Sequence, residues 1–350
     1  MKYFLFYLSV LLIFLFFIFG KSQDYPLNST IDKKQKGAHV FGRIDDSTDF
    51  QFLHRNNIEW VTLVPWASQS DYDSPSVRHH RGDSLQILRR DSSWLSRLEL
   101  AHAAGFKVFV KPHVWIGAPS AGKWRSDIFP STEENWKLWK TSYTDFILRY
   151  ARIAEQAHAE MFCVGTEFTR LVIEKPVYWK ELIQKVRNIY TGKITYAANW
   201  YKEYEQLTFW EDLDYIGIQA YFPLVENENP SVEQISKGWN KYLPTLESMH
   251  KKHNRQIIFT EMGYKSTSDS AMRPWEWIDY AEENDKTLSY ETQANCYEAF
   301  FNTIWTKEWL KGVHLWQLRS DYKEDFSPRN DLDFTPFGKP VEEVIARGFE

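Results

Sequence analysis

Two glutamates in this 350-residue chain stand apart from its other acidic residues because of what precedes them. Glu167 follows Met161-Phe162-Cys163-Val164-Gly165-Thr166, and Glu261 follows Ile257-Ile258-Phe259-Thr260. Each carboxylate therefore ends a short apolar run with the character of a buried strand. Burying a charge is expensive unless something satisfies or uses it. A single strand-end Glu can simply pair with an arginine or cap a loop. Two of them, on strands that face each other across one fold, can converge on a bound group, and that arrangement suits a catalytic pair of carboxylates.

The elements that must position the pair read as an alternation. Apolar stretches at 38–41, 60–65, 107–115, 161–166, 194–198, 215–221, 256–260 and 313–318 are short, β-branched or aromatic, and continuous in hydrophobicity, as strands covered on both faces are. Helical spacing separates most of them, over 93–104, 177–190, 232–253, 292–305 and 340–347. The clearest helix begins at a Ser131-x-x-Glu134 capping box. It sets Trp136, Trp139, Tyr143, Phe146, Tyr150, Ile153 and Ala157 on one face, a stripe for packing against a sheet. Alternation of this kind without an obvious linker predicts an α/β fold, a single (β/α)8 TIM barrel over residues 36–350. A doubly wound open sheet is the second choice, but it usually carries a Gly-rich first turn where this chain has Phe41-Gly42-Arg43-Ile44. In a barrel the chemistry sits at the carboxyl ends of the strands. The two glutamates occupy those ends on the fourth and seventh expected strands.

Composition narrows the partners. The chain has 16 Trp, 19 Tyr and 24 Phe, 25% charged residues and a formal charge of −5, which excludes a disordered, collagen-like or polytopic membrane protein. It lacks the basic excess of a phosphate-backbone binder, so no nucleic acid is expected. Cys163 and Cys296 permit at most one disulfide, and Cys163, inside a strand, is expected to be an inert core thiol. Gly117-Ala118-Pro119-Ser120-Ala121-Gly122-Lys123-Trp124 nearly spells a phosphate-binding loop, but Trp124 replaces the Ser or Thr and Pro119 removes a backbone N–H; it is expected to be a barrel loop. His79-His80 and Asp71-x-Asp73 have no metal-ligand spacing and read as solvated loop residues, and Arg81-Gly82-Asp83 as a chance tripeptide. No G-x-S-x-G nucleophile string is present.

The amino terminus reads as an export segment. Met1 and Lys2 precede an almost unbroken apolar run over 3–19, which turns polar at Gly20-Lys21-Ser22. This predicts a signal peptide over residues 1–22, a tether over 23–35 and a secreted or periplasmic barrel. The run also reaches the lower limit for a spanning helix, so an uncleaved anchor is the alternative, and the only expected contact with a membrane.

The strings Val164-Gly165-Thr166-Glu167 and Phe259-Thr260-Glu261-Met262-Gly263-Tyr264, with Lys111-Pro112-His113 and Phe337-Gly338-Lys339-Pro340 in support, resemble glycoside hydrolase family 113. The resemblance runs from about Gly37 to the carboxyl terminus. It implies a retaining (β/α)8 glycosidase with Glu167 as acid/base and Glu261 as nucleophile. Known members are mostly β-1,4-mannanases, so it further implies an endo-acting enzyme hydrolysing β-mannan or glucomannan by double displacement. The alternatives are a retaining β-glycosidase acting on glucan, xylan or another β-linked oligosaccharide, and a non-catalytic glycan-binding barrel. Many members of the wider clan carry Asn where Thr166 stands; Thr can still bond a sugar hydroxyl. Such a mechanism needs no metal or organic cofactor, and a retaining pair stands about 5–5.5 Å apart.

Other strand-end residues then become candidates for holding a sugar. By resemblance to the clan, where a Trp commonly lies there, Trp316 is the expected platform under the sugar, and Tyr221 can hydrogen-bond Glu261. His113, Asn199, Trp200 and Trp66 can reach hydroxyls or stack on rings, and Arg43 and Lys111 can pair with the carboxylates. Trp115, Trp124, Trp275 and Trp277 can line outer subsites or serve packing.

Overall fold

The computed structural model describes residues 33–42, 44, 50–79, 82–120, 122–278, 286–319 and 332–350. The expected export segment, most of the tether and Arg43 lie outside the described residues. The strands are β1 (Gln35–Phe41), β2 (Trp60–Leu63), β3 (Trp66–Gln69), β4 (Lys107–Val110), β5 (His113–Ile116), β6 (Met161–Thr166), β7 (Lys193–Asn199), β8 (Ile216–Gln219), β9 (Ile257–Met262) and β10 (Leu310–Arg319). The helices are α1 (Gln51–Arg55), α2 (Ser84–Ala103), α3 (Glu133–Gln156), α4 (Thr169–Glu174), α5 (Pro176–Arg187), α6 (Val232–Asn240), α7 (Leu243–His253), α8 (Tyr290–Thr303) and α9 (Val341–Gly348).

Eight strands close a parallel barrel in the order β1-β10-β9-β8-β7-β6-β4-β2, so the fold is the (β/α)8 barrel and not the open sheet. Trp60, Phe109, Met161, Cys163, Ala197, Tyr215 and Ile258 pack together as one buried cluster. Both cysteines are buried and free. The aromatic stripe of α3 lies on the outside of the barrel wall: Trp139 stacks on Tyr143 at 4.8 Å, and Tyr143 donates from Oη to Val164 O of β6 at 2.9 Å. Full burial of such side chains contributes about 1.5–3 kcal/mol each.

Several expected boundaries shift, each for a local reason. The single strand expected over 107–115 is two, because Pro112 cannot donate to the ladder; β4 stays in the barrel and β5 leaves it. The run over 60–65 likewise ends at Leu63, ahead of Pro65. β3 and β5 then pair as a small parallel sheet, Trp66 opposite His113. The helix expected over 232–253 is also two, with Pro244 in the first turn of α7. The α3 cap is Thr132, not Ser131: its extended backbone lets the hydroxyl accept from Asn135 N, so the expected Ser131–Glu134 capping box does not form. α2 starts nine residues earlier than expected because Asp83 caps it by accepting from Gln86 N. The chance tripeptide thus contributes a helix cap.

Two glycines of the glutamate strings exist for packing. A Cβ at Gly165 would meet the Trp179 ring at 2.7 Å, and one at Gly263 would meet Trp316 O at 2.1 Å. Register slips fall beside the same strings. The ladder shifts between Cys163 and Thr166 against β7, and between Ile218 and Gln219 against β9, which brings Gln219 opposite Glu261.

Candidate active site

The carboxyl ends of the strands open into a cleft of about 1340 Å³. Glu167, Glu261, Trp316, Tyr221, His113, Asn199, Trp200 and Trp66 all line it, as do Trp115, Trp124, Trp275 and Trp277. The structure therefore brings these candidates to one cleft, and Lys111 reaches Glu261 without lining it. It also adds residues that sequence reading did not single out, Arg125, Tyr201 and Phe41 among them.

Glu261, on β9, is 4% exposed and held from both oxygens. Lys111 Nζ donates to Oε1 at 2.5 Å and Tyr221 Oη donates to Oε2 at 2.9 Å. Each oxygen of this carboxylate therefore accepts from its own donor. Lys111 is fully buried, and its other two bonds go to Gln219 Oε1 at 2.7 Å and Thr260 O at 3.2 Å. Burial lowers the Lys111 pKa, and the neighbouring Glu261 opposes that shift. Three donors on three acceptors satisfy the ammonium completely. His113 Nε2 and His39 Nε2 lie 3.5 and 3.9 Å from the same Oε1. Burial first, and Lys111 second, depress both imidazoles well below the usual histidine range, so both are neutral.

Glu167, just after β6, has the left-handed backbone, φ 57°, while its N–H bonds Ala197 O at 2.9 Å. Non-glycine residues adopt this region at a strain of order 1–3 kcal/mol and do so where surrounding structure forces them. Burial raises the Glu167 pKa above the ordinary carboxylate range. Arg125, with Nη1 3.8 Å from Oε2, opposes the rise, the charge of Glu261 adds to it, and the nearby Trp124 side chain opposes it in smaller measure. The two glutamates thus sit in contrasting environments, one paired with an ammonium and one mainly desolvated.

Glu203 supplies a brace that nothing in its local sequence singles out. Fully buried behind the cleft, it accepts from Tyr196 Oη, from Thr169 Oγ1 at 2.7 Å and from Asn199 N at 2.9 Å. Tyr196 Oη in turn accepts from Phe168 N at 2.8 Å, so one carboxylate organises the residues that follow Glu167 and the end of β7. Burial raises Glu203 to about 7. Its sequence neighbour Glu205 is exposed, and nothing local separates the two.

Aromatic rings form the walls. Trp316 lies 5.1 Å from Phe41 and 6.0 Å from Trp277, and its ring is parallel to that of His113 at 6.3 Å. Trp200 stacks with Trp275 at 5.1 Å. Across the mouth, Trp66 meets Trp115 at 6.2 Å, and Trp115 meets Trp124 at 6.0 Å. His79 is half-buried against Phe146 and lines the cleft, rather than standing in solvent as expected. Asp71 is likewise structural, since it accepts from Ser120 N at 3.0 Å and ties the 117–124 loop to the end of β3.

A profile described as Glycoside Hydrolase Family 113 matches residues 36–339. Among solved structures, the GH113 β-mannanase AaManA from Alicyclobacillus acidocaldarius is 28% identical, covering 92% of this chain and 99% of that one with a TM-score of 0.76. A GH113 β-1,4-mannanase determined as a complex is 26% identical, covering 91% and 99%, with a TM-score of 0.75. A β-glucuronidase from Ruminococcus gnavus, 15% identical with a TM-score of 0.59, shares the fold alone. No curated protein sequence matches. With the family profile spanning the barrel from its first strand to the segment before its last helix, the chain belongs to glycoside hydrolase family 113.

Proposed function

We propose that this glycoside hydrolase is a retaining endo-β-1,4-mannanase acting on β-mannan or glucomannan. The observation that carries the mechanism is the asymmetry of the carboxylates. Glu261, bridged by Lys111 and Tyr221, is suited to attack; Glu167, buried and raised above the ordinary carboxylate range, is suited to give up a proton. Glu261 bonds the anomeric carbon as the glycosidic C–O bond breaks, and Glu167 protonates the departing oxygen. Water then bonds the same carbon, its proton passes to Glu167, and the electron pair of the ester bond returns to Glu261. Esterification removes the charge on Glu261 that holds the Glu167 pKa up, so the same group can serve as acid and then as base.

The mannan assignment is supported by the two β-mannanases, at 28% and 26% identity. The aromatic walls suit the apolar C–H faces of uncharged sugars. Reducing-sugar release from β-mannan, glucomannan, cellulose and xylan tests the substrate, and NMR of the first-formed anomer tests the stereochemistry. Release chiefly from the two mannans with retention is expected. Preference for cellulose or xylan would sink the mannan assignment, inversion would sink the double displacement, and no release by folded protein would leave a glycan binder.

A further inference from the structure

Arg125 lies beside Glu167 on a short 3-10 turn, Arg125–Asp127, and is 7% exposed. Its Nη1 donates to His113 Nδ1 at 3.2 Å and lies 3.8 Å from Glu167 Oε2. The guanidinium lies over the Trp124 ring, 5.5 Å from its centroid. His113 Nε2, 3.5 Å from Glu261 Oε1, has no other partner among the described residues. Arginine carries only donors, so His113 Nδ1 must be the acceptor, and the single proton of the neutral ring sits on Nε2. The tautomer follows from the partner, not from an observed hydrogen. Nε2–H therefore stands 3.5 Å from Glu261 Oε1, where it can donate to a hydroxyl bound beside that carboxylate.

Resting on the roles proposed above for Glu167 and Glu261, we propose that Arg125 is a positioning residue that couples the two halves of the reaction: it sets His113 as an Nε2–H donor facing Glu261, and it lies beside Glu167 as the counter-charge when that carboxylate is ionised. In the second half-reaction Glu167 must enter as a carboxylate, accept a proton from water and leave protonated. A buried carboxylate is tolerated when a cation accompanies it. Among the described residues, the titratable groups that act on Glu167 are Arg125, Lys111, Glu261, Glu203 and Tyr221. Once Glu261 is esterified, Lys111 remains committed to the β8 and β9 acceptors, and Arg125 is the cation beside Glu167.

Arg125→Met and Arg125→Lys test this on the full-length enzyme, with melting temperature as the check on folding. In Arg125→Met the alkaline limb of kcat/KM is expected to move up by about one pH unit, because a cation that favours the Glu167 carboxylate is gone. With dinitrophenyl β-mannobioside, whose leaving group needs no acid, kcat is expected to fall ~10-fold to ~100-fold with a burst of dinitrophenolate, since hydrolysis of the glycosyl-enzyme becomes limiting. Arg125→Lys, which keeps the charge, is expected to return the limb toward the wild-type position. Nitrogen NMR of histidine-labelled protein is expected to show His113 as a single Nε2–H tautomer in the wild type and a mixture in Arg125→Met. An alkaline limb unmoved in folded Arg125→Met, or a His113 spectrum unchanged by that substitution, overturns the coupling. The underlying assignment fails by a different result: Glu167→Ala retaining full turnover, rather than losing it and regaining it with azide. The tautomer measurement is independent of that outcome.

Discussion

At the residue scale, the site is built by giving chemically similar groups different company. Lys111 and Glu261 close against each other, whereas the ion-pair partner of Glu167 among the described residues is a guanidinium at 3.8 Å. Glu203 is a further buried carboxylate, met by three neutral donors, and burial raises its pKa to about 7. Its sign is fixed by linkage. A folded-state value above the unfolded one means that Glu203 leaves stability intact below the unfolded carboxylate range and withdraws it as pH rises toward 7. Wild-type stability is thus expected to decline over that window through this group, and Glu203→Gln to lose that part of the decline. The variant-to-wild-type difference should shift in the variant's favour by up to about 3 kcal/mol between pH 4.5 and pH 8. Urea unfolding at four or five pH values measures it; a difference that is flat with pH would show that Glu203 is ionised throughout.

At the scale of elements, prolines and caps decide what reaches the cleft. Pro112 ends β4 one residue after Lys111, so the lysine turns toward Glu261 while His113 begins a new strand beside Trp66. The loop that follows carries Trp124 and Arg125, and Asp71 pins it through Ser120. The Asp71 carboxylate is pulled below the usual range by the Ser120 hydroxyl, then by the Ser120 and Tyr72 backbone N–H groups. Asp71→Ala is expected to free the loop without disturbing the barrel. The result should be a fall in kcat/KM on the order of tenfold with little change in melting temperature, because small misplacement of positioning groups is costly in rate. A drop in melting temperature with kcat/KM unchanged would instead make Asp71 a purely structural clamp.

At the scale of the whole molecule, ring order determines where a long substrate can lie. β2 and β4, whose ends lead to Trp66 and Trp115, stand across the barrel from β8 and β9, while Trp200 follows β7. The cleft thus has aromatic walls on both sides of the carboxylates, with Trp66 41% and Trp275 41% exposed toward it. Under the proposed endo action, a chain crossing such a mouth would be cut internally. Trp66→Ala and Trp200→Ala are expected to shift the product lengths from mannohexaose in opposite directions, read by chromatography of the early products. Release of single terminal sugars by wild type and both variants alike would rule out a cleft open at both ends.

How much of this was legible in the chain depends on the distance over which each feature is determined. The barrel, the aromatic face of α3 and the two strand-end glutamates follow from local patterning, because hydrophobic periodicity and abrupt polarity at a strand end are properties of consecutive residues. Trp316, Tyr221 and His113 could be named by the same reasoning, since a barrel sends the ends of all its strands to one face. Arg125 and Glu203 could not. Arg125 sits in a loop that resembled a failed phosphate motif, and Glu203 lies beside an exposed Glu205 of identical chemistry. Their burial and partners arise from contacts with segments far away in the chain, such as Arg125 with Glu167 and Glu203 with Thr169. The sequence by itself determined which residues stand at the mouth of the barrel. Only the tertiary structure decided which charge each of them faces, because desolvation and pairing depend on what surrounds a group in space and not on what adjoins it along the chain.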